Sequence, residues 1–225
     1  MRQLAFPLAS APAPTLQNFV AGRNGELLSA LHAAVDRGAG ERFVYLWGEH
    51  GCGKSHLLAA AASRAGTTAV TVSSDADVCT LDLQPDTDLL LIDDVQSLSE
   101  NGQANAFKIY NALRDRGGAL IAAGDAPPSR LGLREDLVTR LGWGLVYQVH
   151  SLSDEEKAAA LAAHARTRGF SLPREVVDYL LIRQSRDLRH LLAILDGLDR
   201  FSLETKRPVT VPLARELLSA IAGDG

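Results

Sequence analysis

Two periodicities divide the chain near residue 150: before it, short apolar runs alternate with helix-forming segments, and after it only the helical period remains. The runs at 42–47, 69–73, 88–93, 119–123 and 145–149 are mostly apolar, as strands buried on both faces are. Between them, 23–37, 54–65 and 103–116 read as helices and 130–141 as mostly helical, while the connection through Pro85 shows no clear period. Strands alternating with helices predict a parallel sheet covered on both sides. Past His150, Ser153-x-x-Glu156 is a capping box, followed by Ala158, Leu161, Ala162 and Ala165 on one helical face. Pro173 stands where a further helix can open. Leu188, Leu191, Leu192, Leu195 and Leu198 form a second stripe, and Ala214, Leu217, Leu218 and Ile221 a third, within 210–221. The expected fold class is α/β, with a parallel-sheet base over 15–150 and a small C-terminal helical lid over 151–225 packed beside it. No internal repeat is present, and the Pro/Ala-rich segment 1–14 reads as a flexible tail.

Composition narrows this little. A net charge of -4 gives no electrostatic footprint for general nucleic-acid binding. Two cysteines, Cys52 and Cys79, suggest no disulfide framework and fit a reducing cytoplasm. At the N-terminus, Ala9-Ser10-Ala11 imitates a signal-peptidase site. The apolar run before it is only Leu4 to Leu8, broken by Pro7, whereas a secretory core needs about 7–15 residues. Export is therefore not expected, nor is a membrane span.

The chemistry is concentrated in Gly48-Glu49-His50-Gly51-Cys52-Gly53-Lys54-Ser55, which reads G-x-x-x-x-G-K-[ST] between a predicted strand and a predicted helix. That is the phosphate-binding P-loop. Glycines let the backbone N–H groups of Gly51, Cys52, Gly53 and His56 turn toward phosphates, Lys54 reaches the β/γ oxygens, and the Ser55 hydroxyl ligates Mg²⁺. His50 and His56 flank the loop without metal-ligand spacing, so His56 is expected to contribute only its backbone amide. The second half of the machine is Leu89-Leu90-Leu91-Ile92-Asp93-Asp94, a buried strand emitting two carboxylates at its C-terminal edge. Asp93 is the expected Mg²⁺ partner and Asp94 the residue that orients an attacking water. Taken alone, the pair could equally cap the next turn.

The runs LLLIDDVQSL, AAGDAPPSRL and LVTRLGWG, in that order, resemble the AAA+ module of the DnaA family of bacterial replication proteins. The resemblance extends from Thr15 to Ile221 and is nearer to the family's shorter regulatory branch than to its initiators. It implies a P-loop NTPase binding ADP or ATP with Mg²⁺, the ADP form being the active one in that branch. Phe19 and Val20, in the opening box Thr15-Leu16-Gln17-Asn18-Phe19-Val20-x-Gly22, would hold the adenine. Asp125 matches the sensor 1 region, Arg140 the arginine finger that acts on a neighbouring subunit's nucleotide, and Arg186 the sensor 2 arginine of the lid. By sequence alone Asp125 is also a reasonable turn residue, and Ala122-Ala123-Gly124 offers no polar side chain beside it. Arg140 could pair with Glu135 or Asp136, and Arg186 and Arg189 could simply meet solvent.

An initiator would carry a helix-turn-helix module after the lid, and none follows here before Gly225. Instead Gln3-Leu4-Ala5-Phe6-Pro7-Leu8 resembles the peptide with which bacterial proteins dock on the β sliding clamp, Gln3, Leu4, Phe6 and Leu8 being the contacts. The resemblance thus implies a cytoplasmic regulator, docked on the DNA-loaded clamp, that stimulates ATP hydrolysis by the DnaA initiator and inhibits re-initiation. It implies at most slow hydrolysis of its own, no strong direct DNA-binding module and no membrane partner, and leaves homo-oligomerisation open. The alternatives are a DnaA-like initiator or helicase loader, and a self-sufficient AAA+ motor.

Overall fold

The computed structural model describes residues 13–38, 40–184 and 187–223, which fall into two compact units meeting at 151/152. The first is built on five parallel strands, β1 (Phe43–Trp47), β2 (Ala69–Val72), β3 (Leu89–Ile92), β4 (Ala119–Gly124) and β5 (Leu145–Gln148), in the order β2-β3-β4-β1-β5. β3 and β4 are buried along their whole length, which explains their unbroken apolar character. Successive side chains point to opposite faces. Leu89, Leu91, Val44, Leu46 and Ile121 therefore pack against α1 (Gly25–Val35) and α2 (Lys54–Ala65). Leu90, Ile92, Phe43, Tyr45 and Leu120 meet α4 (Glu100–Asp115) and α5 (Glu135–Trp143) on the other side.

Two local expectations change. The connection through Pro85 contains a helix, α3 (Asp75–Thr80). Its sequence DADVCT has weak helix propensity and no amphipathic period. The helix exists because Ser74 caps it by accepting from the Asp77 amide, and because Asn105 of α4 donates to the Val78 and Leu81 carbonyls at its far end. The stretch 130–141 is not one helix: a 3-10 turn spans Pro128–Arg130, and α5 starts only at Glu135. Gly132 lies between them, and the Arg134 amide is held by the Gln103 side chain at 2.8 Å.

At the N-terminal edge of the sheet, Arg42 ties four elements together. Its guanidinium donates to Asp88 at 2.7 Å, to the Gly117 carbonyl at 2.7 Å and to the Ala34 carbonyl at 3.0 Å. Arg37 adds a 3.1 Å bond to the same carboxylate.

The second unit is all helical: α6 (Asp154–Thr167), α7 (Arg174–Arg183), α8 (Leu188–Thr205) and α9 (Val211–Gly223). Both bonds of the Ser153/Glu156 capping box are made, and Pro173 is the N-cap of α7. Leu161, Leu180, Leu191, Leu195, Leu198 and Leu217 form its core. His164 of α6 and Arg168, the C-cap of that helix, both contact Asp196 of α8 at this core's rim.

Candidate functional site

Parallel strands deliver their C-terminal ends to one edge, and the central order β3-β4-β1 gathers three exits there: Asp93-Asp94, Asp125 and the P-loop. The loop is closely packed. A Cβ at Gly48 would stand 2.6 Å from the Val149 carbonyl oxygen, and one at Gly53 would stand 2.8 Å from the Phe19 ring. Gly53 also has φ 107°, so both positions require glycine. Lys54 is buried, its ammonium donating back to the Gly48 and Glu49 carbonyls at 2.8 and 3.0 Å. A cation inside a glycine loop at the N-terminus of a 12-residue helix with no acid in its first turn suits a polyanion, and the exposed Ser55 hydroxyl stands one residue on. Burial pushes the Cys52 thiol up, although Lys54 close by pulls it the other way.

The opening segment docks on this loop through His56. Its ring lies 5.6 Å from that of Phe19, and its Nε2 is 3.1 Å from Asn18 Oδ1 and 3.4 Å from the Thr15 carbonyl. Both neighbours are acceptors, because Asn18 Oδ1 already receives the Thr15 amide and Asn18 Nδ2 donates to the Ala13 carbonyl. The proton must therefore sit on Nε2. The side chain of His56, expected to be idle, joins the segment carrying Phe19 and Val20 to the first turn of α2. No pattern in the sequence signalled this.

Of the two acids, Asp93 is half-buried. Its amide continues the β2–β3 ladder to the Val72 carbonyl, and its carboxylate accepts the Asp94 amide at 3.0 Å. Asp94 is exposed, in the left-handed region at φ 47°. Its backbone carbonyl caps the turn Val95–Ser97 by accepting from Ser97, but its side chain makes no capping bond. The carboxylate instead accepts from Gln96 Nε2 at 3.1 Å. Capping thus uses the backbone of Asp94 and leaves its acid at the strand edge. Asp125 follows β4 and is exposed. Beneath it the Tyr45 hydroxyl donates to the Ala126 carbonyl at 2.8 Å, and burial together with Asp125 raises that phenol above its usual range.

Arg140 pairs with neither Glu135 nor Asp136: Asp136 is taken by Arg134 at 2.8 Å. Its guanidinium is stacked 3.9 Å from the Trp143 ring centre, with Phe107 and Tyr110 at 5.4 and 6.0 Å, and its Nε is buried without a hydrogen-bond partner. Arg189 is exposed near the start of α8. The expectations for Arg186 and for Gln3, Leu4, Phe6 and Leu8 lie outside the described residues. Among the described residues, no group of three or more His, Cys, Asp and Glu is placed to hold a metal, and no helix is long and apolar enough to cross a membrane. Ser55 and Asp93 nevertheless fit Mg²⁺, which usually takes one or two protein ligands beside phosphate and water.

A P-loop on a β2-β3-β4-β1-β5 parallel sheet, with paired acids at the β3 exit and an all-helical unit after it, defines the AAA+ fold. Residues 81–148 match the bacterial DnaA ATPase domain and residues 154–218 the lid domain of Hda. The structure is similar to domain III of the Thermotoga maritima replication initiation protein DnaA, at 25% identity and TM-score 0.71 over 95% of this chain and 98% of that one. It is also similar to AMPPCP-bound DnaA from Aquifex aeolicus, at 27% identity and TM-score 0.66 over 85% and 68% of the two chains. The RuvB branch-migration motor of Thermotoga maritima shares the fold at 18% identity and TM-score 0.65, over 92% and 71%. This chain is an Hda/DnaA-related AAA+ protein.

Proposed function

We propose that this DnaA-related replication regulator binds an adenine nucleotide and, docked on the DNA-loaded sliding clamp, stimulates ATP hydrolysis by the DnaA initiator. The observation that carries the reading is an Hda-type lid at 154–218 following a DnaA-type base at 81–148. The AMPPCP-bound DnaA relative supports an adenine nucleotide, ADP or ATP, at Gly48 to Ser55. Phe19 and Val20 would face the base and Lys54 and the loop amides the phosphates, while the sensor 2 role falls to Arg186 by the resemblance. Ser55 and Asp93 would hold Mg²⁺, which would supply positive charge to the terminal phosphates. Gln3, Leu4, Phe6 and Leu8 dock on the clamp, and Arg140 acts on the nucleotide held by the initiator. Stacking on Trp143 instead of pairing with an acid leaves the Arg140 charge uncompensated, as a group meant for a partner's phosphate requires.

The test is reconstitution: initiator loaded with labelled ATP, clamp loaded on DNA, and this protein added or withheld. Hydrolysis that accelerates only when both protein and clamp are present supports the reading. Acceleration without the clamp removes the clamp from it, and no acceleration at all overturns it.

A further inference from the structure

The end of β4 lacks a polar side chain: Ala122, Ala123 and Gly124 are buried and carry none, and Asp125 beyond them is exposed. The neighbouring strand exit supplies one. Gln96 follows Asp94 by two residues, in the tight turn Val95–Ser97 that the left-handed Asp94 initiates. Its Nε2 donates to Asp94 Oδ1 at 3.1 Å, while its Oε1 is buried with no hydrogen-bond partner. That oxygen lies against β4, since a Cβ at Gly124 would stand 3.2 Å from it. The amide cannot be turned round, because exchanging its oxygen and nitrogen would set Oε1 against the Asp94 carboxylate. Nor does Tyr45 satisfy it: the phenol also crowds Gly124, but its only proton goes to the Ala126 carbonyl. A buried acceptor left without a donor is rare, and here it sits between the exits of β3 and β4, beside the acid.

We propose that Gln96 is a positioning residue for nucleotide hydrolysis at this site, taking the place of a polar side chain on β4. It acts through Asp94. In the reaction, ATP and water give ADP and inorganic phosphate: the water oxygen attacks the terminal phosphorus as the bond to the bridging oxygen breaks, the ADP oxygen leaves with the bonding pair, and of the two water protons one stays on the phosphate and one passes to solvent. Asp94 accepts a hydrogen bond from the attacking water. The Gln96 amide fixes the direction in which that carboxylate points, and the burial of its Oε1 against β4 holds the amide itself in place. The inference rests on the reading of Asp94 as the residue that orients water.

Single-turnover hydrolysis, with the full chain in excess over labelled ATP and Mg²⁺ present, tests it alongside nucleotide affinity. Gln96→Ala is expected to slow hydrolysis by about ten- to a hundredfold, since small misplacement of a reacting water has effects of this order. ATP and ADP affinities should stay within about twofold, because Gln96 acts through the Asp94 carboxylate and not as a phosphate ligand. Gln96→Glu keeps the length of the side chain but replaces the amide that donates to Asp94 with an acid, so it should slow hydrolysis at least as much as Gln96→Ala while nucleotide affinity again stays unchanged. A merely structural glutamine would not separate rate from affinity in this way. Wild-type rates in Gln96→Ala, or affinity falling in step with rate, overturn the assignment. Asp94→Asn separates the two ideas: if it is inactive while Gln96→Ala is not, only Gln96 is misassigned. If Asp94→Asn hydrolyses normally, or the wild type does not hydrolyse ATP over a day, the reading of Asp94 falls as well.

Discussion

Trp143 lies under Arg140, one helical turn further along α5, with the guanidinium 3.9 Å from the centre of its ring. Trp143 is itself 57% exposed, so the stack sits at the protein surface. An arginine of this kind acting in trans contributes roughly 10³–10⁵ in rate. Arg140→Ala is therefore expected to keep nucleotide and clamp binding yet lose most stimulation of the initiator. A surface cation–π contact is worth about 0.5–1 kcal/mol, so Trp143→Ala should reduce stimulation only about two- to fivefold. The reconstituted assay measures both, and full stimulation by Arg140→Ala would refute the trans role.

Lys54→Ala should abolish tight nucleotide binding, because it removes the charge that meets the phosphates. The buried ammonium also closes the loop on the Gly48 and Glu49 carbonyls, and losing these bonds should lower stability by about 1–3 kcal/mol without unfolding the sheet. Isothermal titration with ADP and urea unfolding report the two effects separately. Equal ADP affinity in mutant and wild type would contradict the phosphate-loop assignment.

The contact between Phe19 and His56 makes the nucleobase side of the site depend on the first turn of α2. His56→Ala removes the ring contact and the bond to Asn18, and is expected to weaken ADP binding about tenfold, the loss of roughly one hydrogen bond and part of a ring contact. Inorganic triphosphate, which has no base, should bind the variant as it binds the wild type. Parallel losses for both ligands would place His56 in the phosphate cradle instead.

Asp88 gives the base an acid-sensitive joint. Burial alone would raise its carboxyl, but Arg42, and then Arg37, more than reverse this and hold it below the usual 3.8. A carboxylate with a lowered folded-state pKa contributes stability that is fully present above the unfolded value and lost as pH falls below it. Asp88→Asn should therefore cost about 2–3 kcal/mol at pH 7, given that Asp88 and Arg42 are both mostly buried. The gap from wild type should close as pH falls below about 4. Urea midpoints at pH 7, 5 and 3 check the sign, and a gap that widens on acidification would disprove it.

The P-loop octet and the acids after β3 are legible in sequence because each needs particular residue types at fixed spacing within strand-loop-helix order. β3 and β4 announce themselves because burial on both faces demands unbroken apolar runs. α3 was hidden, since Asn105 and Asp75 hold it through partners more than twenty residues away. The ring contacts of His56 and the amide of Gln96 were hidden for the same reason. Each side chain acquires its meaning from a segment brought beside it by the sheet, and neither stands in a pattern that carries the information. For Arg140 the sequence offered acidic neighbours at 135 and 136, and only the fold reveals the aromatic rings that it meets instead.

Cys52 gives the nucleotide loop its own chemical reporter. The thiol is buried beneath the loop, only 7% exposed, and burial holds it toward the unreactive protonated form. A thiol reagent should therefore modify Cys79, which is half-buried, before Cys52. The rate at which Cys52 is labelled then measures how often the loop opens, and the protection gained with a bound nucleotide can be followed by mass spectrometry without introducing any probe.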